Sequence, residues 1–183
     1  MVDHTYLVPF QDLLMDYAGF PFIGCLFTGL MLTKRGPKVL EYNVRFGDPE
    51  TQSLLPLLQS DLAELMVACT EQQLESIDVR VSKESAATVV VAAGGYPGSY
   101  AKGTPMTLTK TPENVVLFHA GTVTDGSQLK TAGGRVIAST ATGPTLKQAV
   151  DRAYEGVKSI HFEGMQFRKD IAARAFRIGG HAT

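Results

Sequence analysis

The sequence predicts an α+β protein, antiparallel strands with helices, in two sub-structures joined by a polar connector. Three observations carry this. Two apolar, β-favouring segments flank the turn Lys34-Arg35-Gly36-Pro37. After Ala86 the apolar residues come in short runs broken by the glycine pairs Gly94-Gly95 and Gly133-Gly134. Between Pro144 and Ser159 the stripe Leu146, Ala149, Val150, Ala153, Val157 follows the 3.6 period of a helix. Short strands, glycine turns and one strong helix together define the class.

Taken in order, Leu7, Phe10, Leu13, Leu14 and Tyr17 recur at helical spacing. A proline is tolerated only in the first turn, so this helix starts near Val8, around Pro9, and Gly19 ends it. Phe22–Thr33 and Lys38–Arg45 read as the two strands of a β-hairpin. Gly47-Asp48-Pro49 breaks the second strand; Pro49 suits the first turn of a helix running to Leu58, with Asp48 as its N-cap. A further helix over about 60–70 opens at Ser60-Asp61, where Glu64 completes a capping box. Residues 71–85 are polar and bridge to the second half. There Thr88–Ala93, Val115–Phe118, Leu129–Thr131 and Arg135–Thr140 read as strands, Pro144 as the N1 residue of the helix to about Ser159, and 162–176 as a tail with one short strand. The expected organisation is 1–71, a linker 72–85, a second domain 86–178 and a tail 179–183.

Composition narrows the function classes. The chain has 183 residues, room for one ordinary domain or two small ones, and 44% of them are hydrophobic, which argues against disorder. Lys plus Arg number 17 against 18 Asp plus Glu, a near balance that argues against nucleic acid or an acidic membrane surface as partner. Cys25 and Cys69, far apart in apolar segments, read as free core thiols of a reducing compartment, with a disulfide as the other reading. No basic and apolar leader opens the sequence, and no uncharged apolar run approaches the ~18 residues of a membrane helix. The expected location is cytoplasmic, with no membrane partner.

The chemistry concentrates in Leu40–Gln52. Side chains two apart on a strand project together, roughly 6.6 Å apart along it. Glu41, Asn43 and Arg45 therefore share one face, and Leu40, Tyr42 and Val44 the other. A carboxylate and an amide oxygen at that spacing suit a small hard cation such as Mg²⁺, which takes oxygen ligands at about 2.0–2.1 Å and leaves positions open for phosphate oxygens. Arg45 would add a bidentate clamp for phosphate or carboxylate. The same spacing also describes a solvated polar face with Glu41 and Arg45 paired across Asn43. Asp48 and Glu50 at a helix start have a capping reading too. His119 after a strand is a loop hydrogen-bonder or a general base. The glycine loops 94–98 and 133–134 are hairpin turns or phosphate-approaching backbone, and Lys102, Arg135 and Arg168 read as surface charges.

The octet Arg45-Phe46-Gly47-Asp48-Pro49-Glu50-Thr51-Gln52 resembles the signature segment of glycinamide ribonucleotide synthetase, also called phosphoribosylamine–glycine ligase. Gly29-Leu30-Met31-Leu32, Lys38-Val39-Leu40-Glu41-Tyr42-Asn43 and Leu55-Pro56-Leu57-Leu58 resemble the same family in the same order. So do Gly95-Tyr96-Pro97-Gly98, Phe118-His119-Ala120-Gly121-Thr122, Gly133-Gly134-Arg135-Val136 and Phe167-Arg168-Lys169-Asp170-Ile171, so that the resemblance covers roughly 19–176. Ala172 stands where that pattern usually has glycine.

The resemblance implies an ATP-grasp ligase of purine synthesis that joins glycine to 5-phosphoribosylamine, with ATP as co-substrate and Mg²⁺ (or Mn²⁺) as metal. It implies that 1–71 is the C-terminal part of the ATP-grasp domain and 86–178 the C-terminal domain. It assigns the metal to Glu41 and Asn43, catalysis to Arg45, Asp48 and Glu50, and phosphate or substrate binding to Arg45, Gly47 and Asp48. Enzymes of the family are more than twice as long, so the N-terminal lobes of the ligase become a necessary partner and the chain alone is expected to be inactive. A stand-alone, non-catalytic module that binds a partner or nucleotide is the alternative; an ATP-grasp ligase for another substrate is a third reading, against which the octet argues.

Overall fold

The structure, a computed structural model, describes Gly19 and residues 22–178. The helix expected from Val8 and the tail 179–183 lie outside the described residues. The chain divides into two compact units: residues up to Gly47 with Gln59–Arg80, and Asp48–Leu58 with the residues from Val81 on.

In the first unit β1 (Phe27–Thr33) and β2 (Gly36–Asn43) form the expected antiparallel hairpin. Its turn is Lys34-Arg35: Thr33 pairs with Gly36, and the Thr33 hydroxyl donates to Gly36 O at 2.7 Å and accepts from Arg35 N at 3.1 Å. Gly36 takes φ +90°, a left-handed conformation that a Cβ disfavours. The register slips once, from Gly29 opposite Glu41 to Leu30 opposite Val39, so Leu40 is the extra residue of a bulge. The strand ends at Asn43, short of the expected Arg45. Leu40 and Val44, placed by the strand pattern on its apolar face, are each 63% exposed. The second helix begins as expected: Asp61 caps it by accepting from Glu64 N at 3.0 Å, and it runs Leu62–Thr70.

The helix expected directly after Asp48 begins later. Residues 48–50 form a turn, α1 spans Thr51–Leu54, and a 3₁₀ turn follows at Leu55–Leu57. The N-cap position belongs to Glu50, without a side-chain cap bond, so neither Asp48 nor Pro49 holds the place expected of it. Numbering the Leu62–Thr70 helix α2, the second unit continues with β3 (Ser85–Ala92), β4 (Met106–Leu108), β5 (Val115–His119), β6 (Thr122–Asp125), β7 (Gln128–Thr131), β8 (Arg135–Gly143), α3 (Leu146–Val157), β9 (Ile160–Phe162), β10 (Gln166–Phe167) and α4 (Ala173–Ile178). β10, β3, β8 and β5 make one antiparallel sheet in that order. Strands β4, β6 and β9 were not foreseen; they form the short pairs β4–β9 and β6–β7.

Period two decides which face of the sheet is buried by what. Ala87, Val89 and Val91 of β3 enter the core with Ala149, Val150, Ala153 and Val157, the expected stripe of α3. Pro144 lies one residue before the cap: Thr145 is the N-cap and accepts from Gln148 N at 3.3 Å. The opposite face of β3 carries Thr88, and a hydroxyl row runs from Ser53 of α1 to Thr88 at 2.6 Å and on to Thr140 of β8 at 2.8 Å. The segment 48–58 is thereby pinned to the face away from α3, and Leu57 O accepts from Ser82 N at 2.7 Å. With both faces covered, β8 is buried from Val136 to Ala141.

Candidate functional site

The strand end of the first unit presents the predicted metal pair. Glu41 and Asn43 lie two apart on β2, beyond the bulge, so nothing interrupts their common projection. Glu41 is opposite Gly29; a Cβ there would stand 3.2 Å from Glu41 Cγ, so the missing side chain leaves room for the carboxylate to lie across the neighbouring strand. Arg45 sits in the bend after the strand, which corrects its expected place on it. Its Nη2 nevertheless turns back to donate to Asn43 Oδ1 at 3.2 Å, and Nη1 donates to Phe46 O at 2.8 Å. The guanidinium thus reaches the amide oxygen, not the carboxylate that the ion-pair reading required.

The donor set suits a hard cation: one exposed carboxylate and one amide oxygen, both oxygen ligands of the kind Mg²⁺ selects. Glu41 and Asn43 would hold the ion, with the Asn43 oxygen released by Arg45. No group of three or more His, Cys, Asp or Glu suited to a metal occurs among the described residues, so an ion held here would have two protein oxygens as its ligands.

The boundary between the compact units falls between Gly47 and Asp48, so Glu41, Asn43, Arg45 and the buried Gly47 belong to one unit and Asp48 and Glu50 to the other. In the second unit the Asp48 turn is gripped by Arg135, the first residue of β8. Its Nη1 donates to Asp48 O at 2.9 Å and stands 3.3 Å from Asp48 Oδ1, while Nε donates to the Tyr96 hydroxyl at 3.2 Å. The Tyr96 hydrogen bond holds Arg135 still more firmly in its charged form than an ordinary arginine; burial opposes it, and the Asp48 carboxylate adds a lesser push the same way. Tyr96 is itself seated: its ring packs edge-on to Tyr100, and its carbonyl accepts from Gln166 Nε2 at 2.8 Å. Both rings lie over Gly134, where a Cβ would collide with the Tyr96 ring. Glu50 starts α1 through its carbonyl, which accepts from Ser53 N and Leu54 N at 3.0 Å. Two residues on, Gln52 Oε1 is buried with no donor among the described residues, an acceptor that a water or a ligand N–H satisfies.

Sequence reasoning left Arg135 among the surface charges. The structure makes it a half-exposed anchor of the signature turn, 87 residues away along the chain. The available signals were its place in the motif Gly133-Gly134-Arg135-Val136 and directly after Gly134, whose missing side chain admits the Tyr96 ring. His119 takes its bland role: exposed, with Nδ1 3.0 Å from Thr122 Oγ1 across the turn. Arg168 is exposed as expected, but held by a two-pronged pair with Asp170 at 2.9 and 2.8 Å. That hydrogen bonding keeps the Asp170 carboxyl below the usual carboxylate range.

Comparison with known proteins agrees with this architecture. The ATP-grasp (A) domain model of phosphoribosylglycinamide synthetase matches residues 10–51, and the C domain model of the same enzyme matches 86–174. The bifunctional purine biosynthetic protein ADE1 of Schizosaccharomyces pombe is 54% identical over 162 residues, 88% of this chain and 21% of that protein. The phosphoribosylamine–glycine ligase of Chlorobaculum tepidum is 47% identical over 160 residues, 86% of this chain and 38% of that protein. The chain therefore spans between a fifth and two fifths of the length of these relatives. The crystal structure of phosphoribosylamine–glycine ligase from Thermotoga maritima superposes with a TM-score of 0.74 at 36% identity, over 85% of this chain and 39% of that one. The biotin carboxylase domain of Hydrogenobacter thermophilus 2-oxoglutarate carboxylase, solved with MgADP and bicarbonate, shares the fold alone: TM-score 0.60 at 13% identity, over 98% of this chain and 42% of that one. Two models of one enzyme, relatives at about half identity and a superposable ligase place this chain in the phosphoribosylglycinamide synthetase family, with that family's C domain and part of its ATP-grasp domain.

Proposed function

We propose that this chain serves in the ATP-dependent ligation of glycine to 5-phosphoribosylamine in purine biosynthesis, as the part of a longer ligase that carries the metal-bearing strand and the C domain. The observation that supports it most is the strand end itself: Glu41 and Asn43 project together, with the Arg45 guanidinium 3.2 Å from the Asn43 oxygen, in a chain of this family. Bound there, Mg²⁺ or Mn²⁺ would draw together the phosphate oxygens of ATP and offset the charge that develops on the transferred phosphoryl group. Glu41 and Asn43 hold the ion. Arg45 stabilises anionic oxygen, and Gly47 lets backbone approach the substrate at the start of the turn. Asp48 and Glu50 act at the reaction centre, Asp48 under the control of Arg135. The partners are ATP, glycine, 5-phosphoribosylamine and the N-terminal lobes of the ligase. The compartment is the reducing cytoplasm, which suits two half-buried free cysteines.

Exchange of residues 19–176 into the Chlorobaculum tepidum ligase tests this. The chimera restores growth without purines to a strain lacking that enzyme. Glu41→Ala in the chimera lowers kcat by at least about 10²-fold, the size of losing one preorganised charge at a reacting centre. The purified chain by itself gives no phosphoribosylamine-dependent ATP turnover above the Glu41→Ala background. Turnover by the isolated chain, or a chimera indifferent to Glu41→Ala, would overturn the proposal.

A further inference from the structure

The face of the sheet that packs on α3 is not filled out to its edge. Phe167 of β10 stands opposite the core residue Val91 of β3 and shares its side of the sheet, whereas Gln166 stands opposite Ala92 and takes the other side. β10 is the edge strand, and between it and α3 lies a groove of about 530 Å³. α3 lines it with Tyr154, Val157 and the C-cap Lys158, spaced i, i+3, i+4 on one helix face. The segment through β10 lines it with Met165, Phe167 and Lys169, each two residues from the next, and β9 adds Ile160 and His161.

The lining divides by chemistry. Val157 and Ile160 are 2% and 1% exposed and make a solid apolar floor, while Tyr154, Met165 and Phe167 are half-buried. The Tyr154 hydroxyl donates to Arg168 O at 2.8 Å and accepts from Ile171 N at 3.1 Å, and its ring centre lies 6.3 Å from that of Phe167. The apolar surface is thus fixed before anything binds, which spares the cost of ordering it. The other three lining residues, Lys158, His161 and Lys169, are exposed and basic, and no carboxylate is among the described residues that line the groove. Lys158 stands 2.6 Å from Glu155 in an exposed pair of the weak kind. His161 and Lys169 make no ion pair among the described residues. A rigid apolar recess with a basic rim attracts a partner that is apolar where it is buried and acidic around that point.

We infer that this groove docks an acidic segment of a partner protein. A large apolar side chain of that segment seats against Tyr154, Met165 and Phe167, and its carboxylates meet Lys169, His161 and Lys158. The lobes of the ligase itself are not the occupant: on the proposed ligation they converge on the signature turn, and the segment 48–58 that carries most of that turn is pinned to the opposite face of the sheet.

The probe is a synthetic amphipathic peptide, with glutamates on one side and leucine and phenylalanine on the other, titrated into the full 183-residue chain and followed by amide chemical shifts. Saturable shifts are expected at Ile160, His161, Met165 and Phe167, with an affinity that falls as salt screens the rim. Lys169→Glu weakens binding at least about tenfold. Lys83→Glu makes the same change of charge at an exposed position outside the groove and leaves binding unchanged. A peptide with lysine in place of every glutamate also binds at least about tenfold more weakly. Lys169 is exposed, so its substitution leaves the fold intact. Absence of saturable shifts, unchanged affinity in Lys169→Glu, or equal binding of the lysine peptide would each sink the docking site. If the same amides move when the chain is concentrated without peptide, the groove belongs to a second copy and the inference fails. In the Chlorobaculum tepidum chimera, Lys169→Glu leaves ATP turnover unchanged; a lowered turnover would assign the groove to the ligase's own lobes and overturn the inference. The titration uses no substrate, so its result and that of the ligation test are read separately.

Discussion

Gly156→Ala sets helix propensity against packing, and the structure decides which wins. In an exposed helix interior the change stabilises by about 1 kcal/mol. Gly156, however, is buried on α3 where the helix lies against the sheet. A Cβ there would stand 2.5 Å from Val115 Cγ1 of β5, closer still to Ser139 Oγ of β8, and 3.5 Å from Ser139 Cβ. The Val115 and Ser139 contacts are with side chains anchored in the two strands under the helix, so relief requires the helix to lift or the strands to part; overpacking of this kind costs about 1–3 kcal/mol. The Ser139 hydroxyl also donates to Ala153 O at 2.8 Å in a buried position. Displacing it strands a polar group, at about 1–3 kcal/mol. The net expectation is a loss of about 2–3 kcal/mol. Urea unfolding reads this as a midpoint lowered by about 1 M or more at unchanged slope, for slopes of about 1–3 kcal/mol/M. In a Ser139→Ala background the same change costs at least about 1 kcal/mol less, because its worst contact is gone. A neutral or stabilising Gly156→Ala, or two substitutions that simply add, would refute the account of how α3 meets the sheet.

Two further outcomes follow from backbone and burial. Ala172 takes φ +62°, which costs a non-glycine residue about 1–2 kcal/mol. Ala172→Gly removes that strain at about 0.5–1 kcal/mol of added freedom in the unfolded chain, for a net gain of about 0.5–1 kcal/mol in thermal unfolding; lower stability would show that its methyl matters more than its φ. Burial, and secondarily the nearby Cys69, raise the Cys25 thiol above its ordinary range. A folded pKa above the unfolded one means that the folded chain holds the proton more tightly. The stabilisation is therefore complete below the unfolded value of about 8.5 and lost as pH rises through the folded one. The rate of Cys25 alkylation by iodoacetamide accordingly reaches its midpoint above that of a free thiol. Cys69→Ser brings it only part of the way down, since burial is the larger cause, and a midpoint at or below the free-thiol value would contradict this.

What the sequence determined by itself was local. The hairpin about Lys34-Arg35, the Asp61 cap and the α3 stripe all depend on neighbours within a few residues, where turn chemistry, capping and period act directly. The pairing of Glu41 with Asn43 was legible for the same reason, since two residues on one strand share a face whatever surrounds them. The tertiary structure decided everything that depends on distant partners. The 48–58 segment joined the second unit through the Ser53–Thr88–Thr140 row. Arg135 became the anchor of Asp48 only because β8 starts beside that turn. No periodicity announces a contact across 87 residues; it exists once the sheet sets the register, and there one side chain links the signature turn to the C domain.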